Sequence, residues 1–560
     1  MLGWLSKNLG LKKASTHPLA TPQSLREVID ELPAGNPIRA LADLADWLAM
    51  AERRDLQPDE RIVAIRTLDE HAIELNSELI FEYLSCLPTH HRAEQMWHAL
   101  STYQDAVFKA YRLAFRDLFE AGKPRERDKS TATLFAVRAM AAITERKKLL
   151  RMRYRAVDAG LWADLYGLVQ IAEGLGIARK DARLASGVQT SVWRELLAGT
   201  WFELGPIGNL DHLQMEQLDR IVRDMLKLFA VRAAPDTETR FVLDLATTAP
   251  PQRWRDQKAR ELRHFLAPGA AYAHLVSLVR EIRRNGALPG YLVMEGLESL
   301  QSCVNLIDKL VPQWSKNPPR RAHERKALNE PVEVVHGYRE IRRMIAGIAY
   351  LRLTGGKAKT DLSGQQREEF SRHGFIAEQR DPQQQIDDEI AKVRALIESQ
   401  NRLMVLEWTL HDLSEFGAGA LAQGTLHWLQ PGVLIGLRWG GREDWQSGVV
   451  RRISRDARGQ ASIGIQRFQG VARCGRIGVL DKPQASAFER SRDAGVSVYF
   501  DAIALLEDSS LLVESGVYVE NGRFRLVIDG QRTTVVFVEL LERGTNFEHV
   551  RFAIETDEQT

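Results

Sequence analysis

The period of the hydrophobic pattern changes once along this chain, and that change limits what it can fold into more than any motif does. From about Thr21 to about Leu310 apolar residues recur at helical spacing. Thr21-Pro22 has the form of an N-cap followed by proline in the first turn, with Leu25, Val28, Ile29 and Leu32 on one face behind it. Gly35-Asn36-Pro37 stops that helix, and Ile38, Leu41, Leu44, Trp47 and Leu48 line the next. From Leu403 onward the apolar residues alternate between turns that carry glycine, which is strand grammar. Such a chain is α+β and multidomain: an all-α helical array followed by an antiparallel β-barrel.

The switch lies in SKNPPRRAHERKALNEP, Ser315 to Pro331, a basic stretch with two adjacent prolines and little apolar content. PVEVVHG follows as a short strand. Helical spacing then returns in Ile341, Met344, Ile345 and Ile348, and again in Ile386, Ile390, Val393 and Ile397. The expected organisation is a tail over 1–20, an all-α domain over 21–312, a β-barrel domain over 313–482 with a helical insertion at 338–400, and a small β subdomain over 483–560. Asn521-Gly522 and Asp529-Gly530 are hairpin signals in that last part.

Composition excludes several classes of function. A formal net charge of +2 gives the molecule no overall attraction for a nucleic acid polymer. No run approaches the ~20 apolar residues of a membrane span. The residues at the start of the sequence lack the charge order of a signal peptide. Cys86, Cys303 and Cys474 are far apart, with no CxxC pair, which fits a reducing compartment without a disulfide framework or structural zinc. The expected location is the cytoplasm.

Local clusters are where an anionic ligand would be met. In RRAHER, Arg321 and Arg325 stand four apart with Arg320 adjacent, just before a strand. Arginine forks grip phosphate bidentately, bond guanine edges and stack on purines. Farther on, the strand WTLHDLS ends in Asp412, Ser414 and Gly417, two hydrogen-bonding side chains and a glycine that permits a positive φ or a close approach. Two other features read as structural: the stripe Trp97, Tyr103, Phe108, Tyr111 and Phe115 as core, and the basic run from Glu145 to Arg155 as a solvated helix face.

RxxxR before a first strand, DxSxxG at the end of a later one, and then the strands GVVRRIS and SIGIQRF together resemble the PilZ domain, the bacterial receptor module for cyclic di-GMP, over roughly Pro318 to Leu480. The resemblance implies that Arg321 and Arg325, with Arg320 stacking, clamp the phosphates and guanine edges of the dinucleotide. It implies that Asp412 and Ser414 accept from or bond the base, and that Gly417 lets the base approach the backbone. The sequence departs from that family in the long helical insertion between the two motifs; a longer loop adds little closure free energy, so the barrel's pairing survives it.

The function this implies is a non-enzymatic cyclic di-GMP-binding effector, with no other cofactor, that couples second-messenger binding at the barrel to an N-terminal helical output domain and its protein partner. PilZ-like proteins are associated with motility, pili, exopolysaccharide and biofilm output, and nothing in the residues selects among these. The alternative is an interaction scaffold whose barrel no longer binds. No competing chemistry is supported. His411-Asp412 has the form of a metal-phosphohydrolase dipeptide but falls on strand-like sequence, and Thr354 to Thr360 lacks P-loop spacing.

Overall fold

Helix starts follow the capping residues. The Thr21 hydroxyl accepts from the Ser24 amide at 3.1 Å in a reciprocal capping box that opens α1 (Pro22–Asp30), and Asn36 accepts from the Arg39 amide to open α2 (Pro37–Ala51). The computed structural model describes residues 17–52, 56–87, 90–120, 126–294, 296–297, 299–318, 324–353, 405–424, 426–441, 444–480 and 496–555. The chain divides into two units, Met1–Arg320 and Arg321–Thr560, so the first runs slightly past the expected boundary at 312.

In the first unit, α3 (Pro58–Ser85), α4 (His91–Glu120), α5 (Glu126–Met152) and α6 (Ala159–Gly174) pack on their neighbours in sequence, and α4 lies along α5. Trp97, Tyr103, Phe108, Tyr111 and Phe115 are core, as the helical spacing of the stripe predicts. A two-strand ribbon, β1 (Ala182–Arg183) with β2 (Gln189–Thr190), leads into α7 (Val192–Glu203) and α8 (His212–Met225).

The region expected to be all-α also holds a small antiparallel sheet. It comprises β3 (Ala230–Arg232), β4 (Phe241–Asp244), β5 (Gln252–Arg253) and β6 (Arg263–Ala267) in the order β3-β6-β4-β5. Helices α9 (Ala270–Asn285) and α10 (Leu300–Trp314) complete the unit. These strands have two to five residues, too few for an alternating period to show. Trp201 binds sheet and helices together, stacked on Phe229 at 4.0 Å with its edge toward Trp314 at 5.2 Å.

The basic run from Glu145 to Arg155 is not simply a solvated face. Lys148 is buried, and its ammonium meets Glu145 at 3.0 Å, Glu216 at 2.8 Å and Asp219 at 3.3 Å. Lys147 is fully buried, bonds the Gly199 carbonyl and faces Glu203, while Arg151 pairs with Glu203. Glu145 is on α5 itself, but Glu203, Glu216 and Asp219 lie on α7 and α8, distant in sequence, so spacing on α5 alone does not reveal them.

In the second unit, β7 (Lys326–His336) is followed by α11 (Tyr338–Leu353), then β8 (Leu406–Leu413), β9 (Gly417–Ala422), β10 (Leu434–Trp439), β11 (Gln446–Arg455) and β12 (Ala461–Arg467). These strands close an antiparallel barrel in the order β7-β8-β9-β12-β11-β10. Of the expected insertion, α11 is described; Ile386, Ile390, Val393 and Ile397 lie outside the described residues.

The C-terminal β region is a second closed barrel. Strands β13 (Ala472–Leu480), β14 (Val496–Leu505), β15 (Ser510–Val513), β16 (Arg523–Ile528), β17 (Gln531–Arg543) and β18 (Glu548–Ile554) close in the order β13-β14-β15-β18-β17-β16. This is the order of the first barrel shifted by six strands. The strand RIGVL, Arg476 to Leu480 within the expected barrel domain over 313–482, therefore belongs to the second barrel, with β14 and β16 as neighbours. Asp529-Gly530, both at positive φ, turn β16 into β17; Asn521-Gly522 instead lead into β16 and continue its ladder with Phe537.

One apolar cluster joins the two barrels. Val335, Leu434, Trp445 and Val449 meet Ile503, Leu512 and Phe547, with Tyr338, Ile341, Met344 and Ile345 of α11 between them. The Tyr338 hydroxyl donates to the Asp501 carbonyl at 2.8 Å.

Candidate functional site

In a regular strand successive side chains point to opposite faces, so two adjacent residues cannot both line one pocket. Two strands of the first barrel break that rule at facing positions. In β8, Leu410 pairs with Ala420 and Asp412 with Gly419, leaving His411 as an extra residue. In β11, Val450 pairs with Ile465 and Arg452 with Gly464, leaving Arg451 extra. Each is a β-bulge, a device that re-aims side chains. Consequently His411 with Asp412, and Arg451 with Arg452, all line a single pocket of about 380 Å³.

Arg325, the residue just before β7, enters the same pocket, and its Nη1 donates to Asp412 Oδ1 at 2.6 Å. This pair ties the arginine motif to the aspartate motif across the helical insertion. His411 Nδ1 lies 3.2 Å from the other carboxylate oxygen of Asp412. Ser414 closes the turn: its amide donates to the Gly417 carbonyl at 2.7 Å and its hydroxyl approaches the same oxygen at 3.2 Å. From below, Arg467 donates to the carbonyls of Ser414 and Glu415 at 2.7 and 2.6 Å, fixing the turn to β12.

Glycine leaves room here for the neighbouring side chains. A Cβ at Gly417 would stand 3.2 Å from Ser414 Oγ, and one at Gly419 would stand 2.6 Å from His411 Cε1 and 2.8 Å from the Asp412 carboxyl. Neither has a positive φ, so of the two reasons for a glycine at 417 the close approach applies. Phe416 is 40% exposed at the rim, an aromatic face beside the glycine floor.

The expected residues Arg325, Asp412, Ser414 and Gly417 thus come together. Arg320 and Arg321 lie outside the described residues. GVVRRIS reads in the sequence as a strand and His411 as strand-like, so Arg451, Arg452, His411 and Gly419 are pocket residues that the motifs do not mark. The available signal was two adjacent arginines inside an alternating strand, which a regular strand would send to opposite faces.

The pocket can accommodate a flat, anionic group: it is lined by guanidinium donors, a carboxylate acceptor, an aromatic side chain and three glycines, Gly417, Gly419 and Gly464. Among the described residues, no group of three or more His, Cys, Asp or Glu side chains is arranged to hold a metal ion, and no helix is long and apolar enough to cross a membrane.

These features define an α+β protein with tandem six-stranded barrels, the first bearing a cationic pocket. A family model described as the N-terminal domain of the cyclic-di-GMP receptor FimW matches residues 23–236, within the first unit, whereas the residues that line the pocket belong to the second. No curated protein matches the chain.

Proposed function

We propose that this chain is a cyclic di-GMP-binding effector whose receptor site is the pocket of a PilZ-like first barrel, and whose helical unit carries the response to a protein partner. The observation that carries the reading is the convergence of Arg325 with Asp412, Ser414 and Gly417, two motifs far apart in sequence, on one 380 Å³ pocket. The description of the family model over residues 23–236 independently points to the same ligand. In this reading the guanidiniums meet phosphate, Asp412 and Ser414 meet the donor edge of a guanine, and Phe416 offers a face for stacking. Arg320 and Arg321 add cationic donors from the preceding segment.

Calorimetric titration with cyclic di-GMP tests this. Wild-type protein is expected to bind at micromolar Kd or tighter, and Asp412→Ala to bind at least tenfold more weakly, since each hydrogen bond to a charged group contributes about 1.5–3 kcal/mol. Equal binding by both proteins would remove the pocket from the account.

A further inference from the structure

Among the described residues three guanidiniums line the pocket, and they are committed differently. Arg325 is paired with Asp412. Arg451 is occupied on every edge: both terminal nitrogens bond the Glu542 carboxylate on β17 of the second barrel, Nη2 at 2.6 Å, and Nε donates to Gln466 at 2.8 Å. Arg452 is exposed and, among the described residues, its guanidinium makes no hydrogen bond or ion pair.

An exposed arginine on a strand is ordinarily just solvated. Two features of its setting argue otherwise. The bulge in β11 gives up a ladder pairing, and its effect is to bring Arg452 to the pocket face beside Arg451. Directly across the ladder stands Gly464, where a Cβ would come 3.3 Å from the Arg452 Cβ, so the side chain has a bare floor to lie across.

We propose that Arg452 is the anion-binding residue of the wall opposite Arg325, contacting a phosphate of the ligand through its guanidinium fork, while Glu542 holds Arg451 out of that role. This rests on the receptor reading above and assigns a contact that neither motif contains. Because Arg452 supports no other group, its removal is expected to leave the fold intact.

The test is titration of wild type, Arg452→Ala, Arg452→Lys and Arg458→Ala with cyclic di-GMP, and separately with inorganic pyrophosphate. Arg458, in the turn after β11, lies outside the pocket lining and controls for loss of one positive charge. The expected result is at least a tenfold loss for Arg452→Ala, a smaller loss for Arg452→Lys, which keeps the charge without the fork, and unchanged affinity for Arg458→Ala. If wild type binds and Arg452→Ala matches either wild type or Arg458→Ala, the assignment is overturned while the receptor reading stands. If wild type ignores cyclic di-GMP, the receptor reading fails, and pyrophosphate decides: binding that Arg452→Ala abolishes upholds an anion site at Arg452, and no binding overturns it too.

Discussion

Buried charge in the helical unit is matched group by group. Asp69 on α3 accepts from the Tyr103 hydroxyl at 2.6 Å and the Tyr111 hydroxyl at 2.9 Å on α4, and from Arg138 on α5 at 2.7 and 2.8 Å. Burial alone would raise its pKa, but Arg138 and the two hydroxyls outweigh it and hold the carboxyl below its ordinary value. Asp69→Ala leaves a buried guanidinium without its counter-charge, so a loss of about 3–5 kcal/mol is expected in denaturant unfolding. Lys147 is the opposite case, because burial outweighs Glu203 and pushes its ammonium down to about 8 from 10.5. Between those pH values the unfolded chain holds a proton that the folded one has released, so folding gains stability as pH rises. Relative to Lys147→Met, wild type is expected to gain about 3 kcal/mol between pH 7.5 and 10.5; a difference that stays constant with pH would mean that Lys147 remains charged. The sequence revealed the residues that line the pocket better than these charges. Asp412, Ser414 and Gly417 lie within one turn and Arg325 beside a proline-rich break, whereas Lys148 meets Glu216 only through the packing of α5 on α8.

At the scale of elements, helices such as α1 and α2 were legible because a cap, Thr21 or Asn36, precedes an apolar period. The β3–β6 sheet was not, since strands of two to five residues are specified by tertiary partners such as Trp201 against Phe229 and Phe241. The assignment of RIGVL to the first barrel failed for a related reason: alternation identifies a strand but not its neighbour. The bulges at His411 and Arg451 build the site, and Gly419 is the residue that gives the first of them room. Gly419→Val is therefore expected to displace the Asp412 carboxyl and cost at least tenfold in cyclic di-GMP affinity. The near-ultraviolet circular dichroism of the barrel tryptophans should be retained; undiminished affinity would show that this approach does not position Asp412.

At the scale of the molecule, one strand order occurs twice, but with different charge. Where β11 of the first barrel carries Arg451 and Arg452, the corresponding strand β17 carries Glu539 and Glu542, and its Glu542 bonds Arg451. The second barrel thus contributes a counter-ion at the first barrel's pocket, and the shared apolar cluster fixes it there. The family likeness lies in residues 23–236, whereas the pocket lies on the first barrel, so location is the central claim. Hydrogen-exchange mass spectrometry of the full chain, with and without saturating cyclic di-GMP, tests it most directly. Slowed exchange is expected in peptides covering 407–422 and 446–467, the strands and turn that form the pocket. Protection confined to residues 23–236, or none at all, would contradict the account.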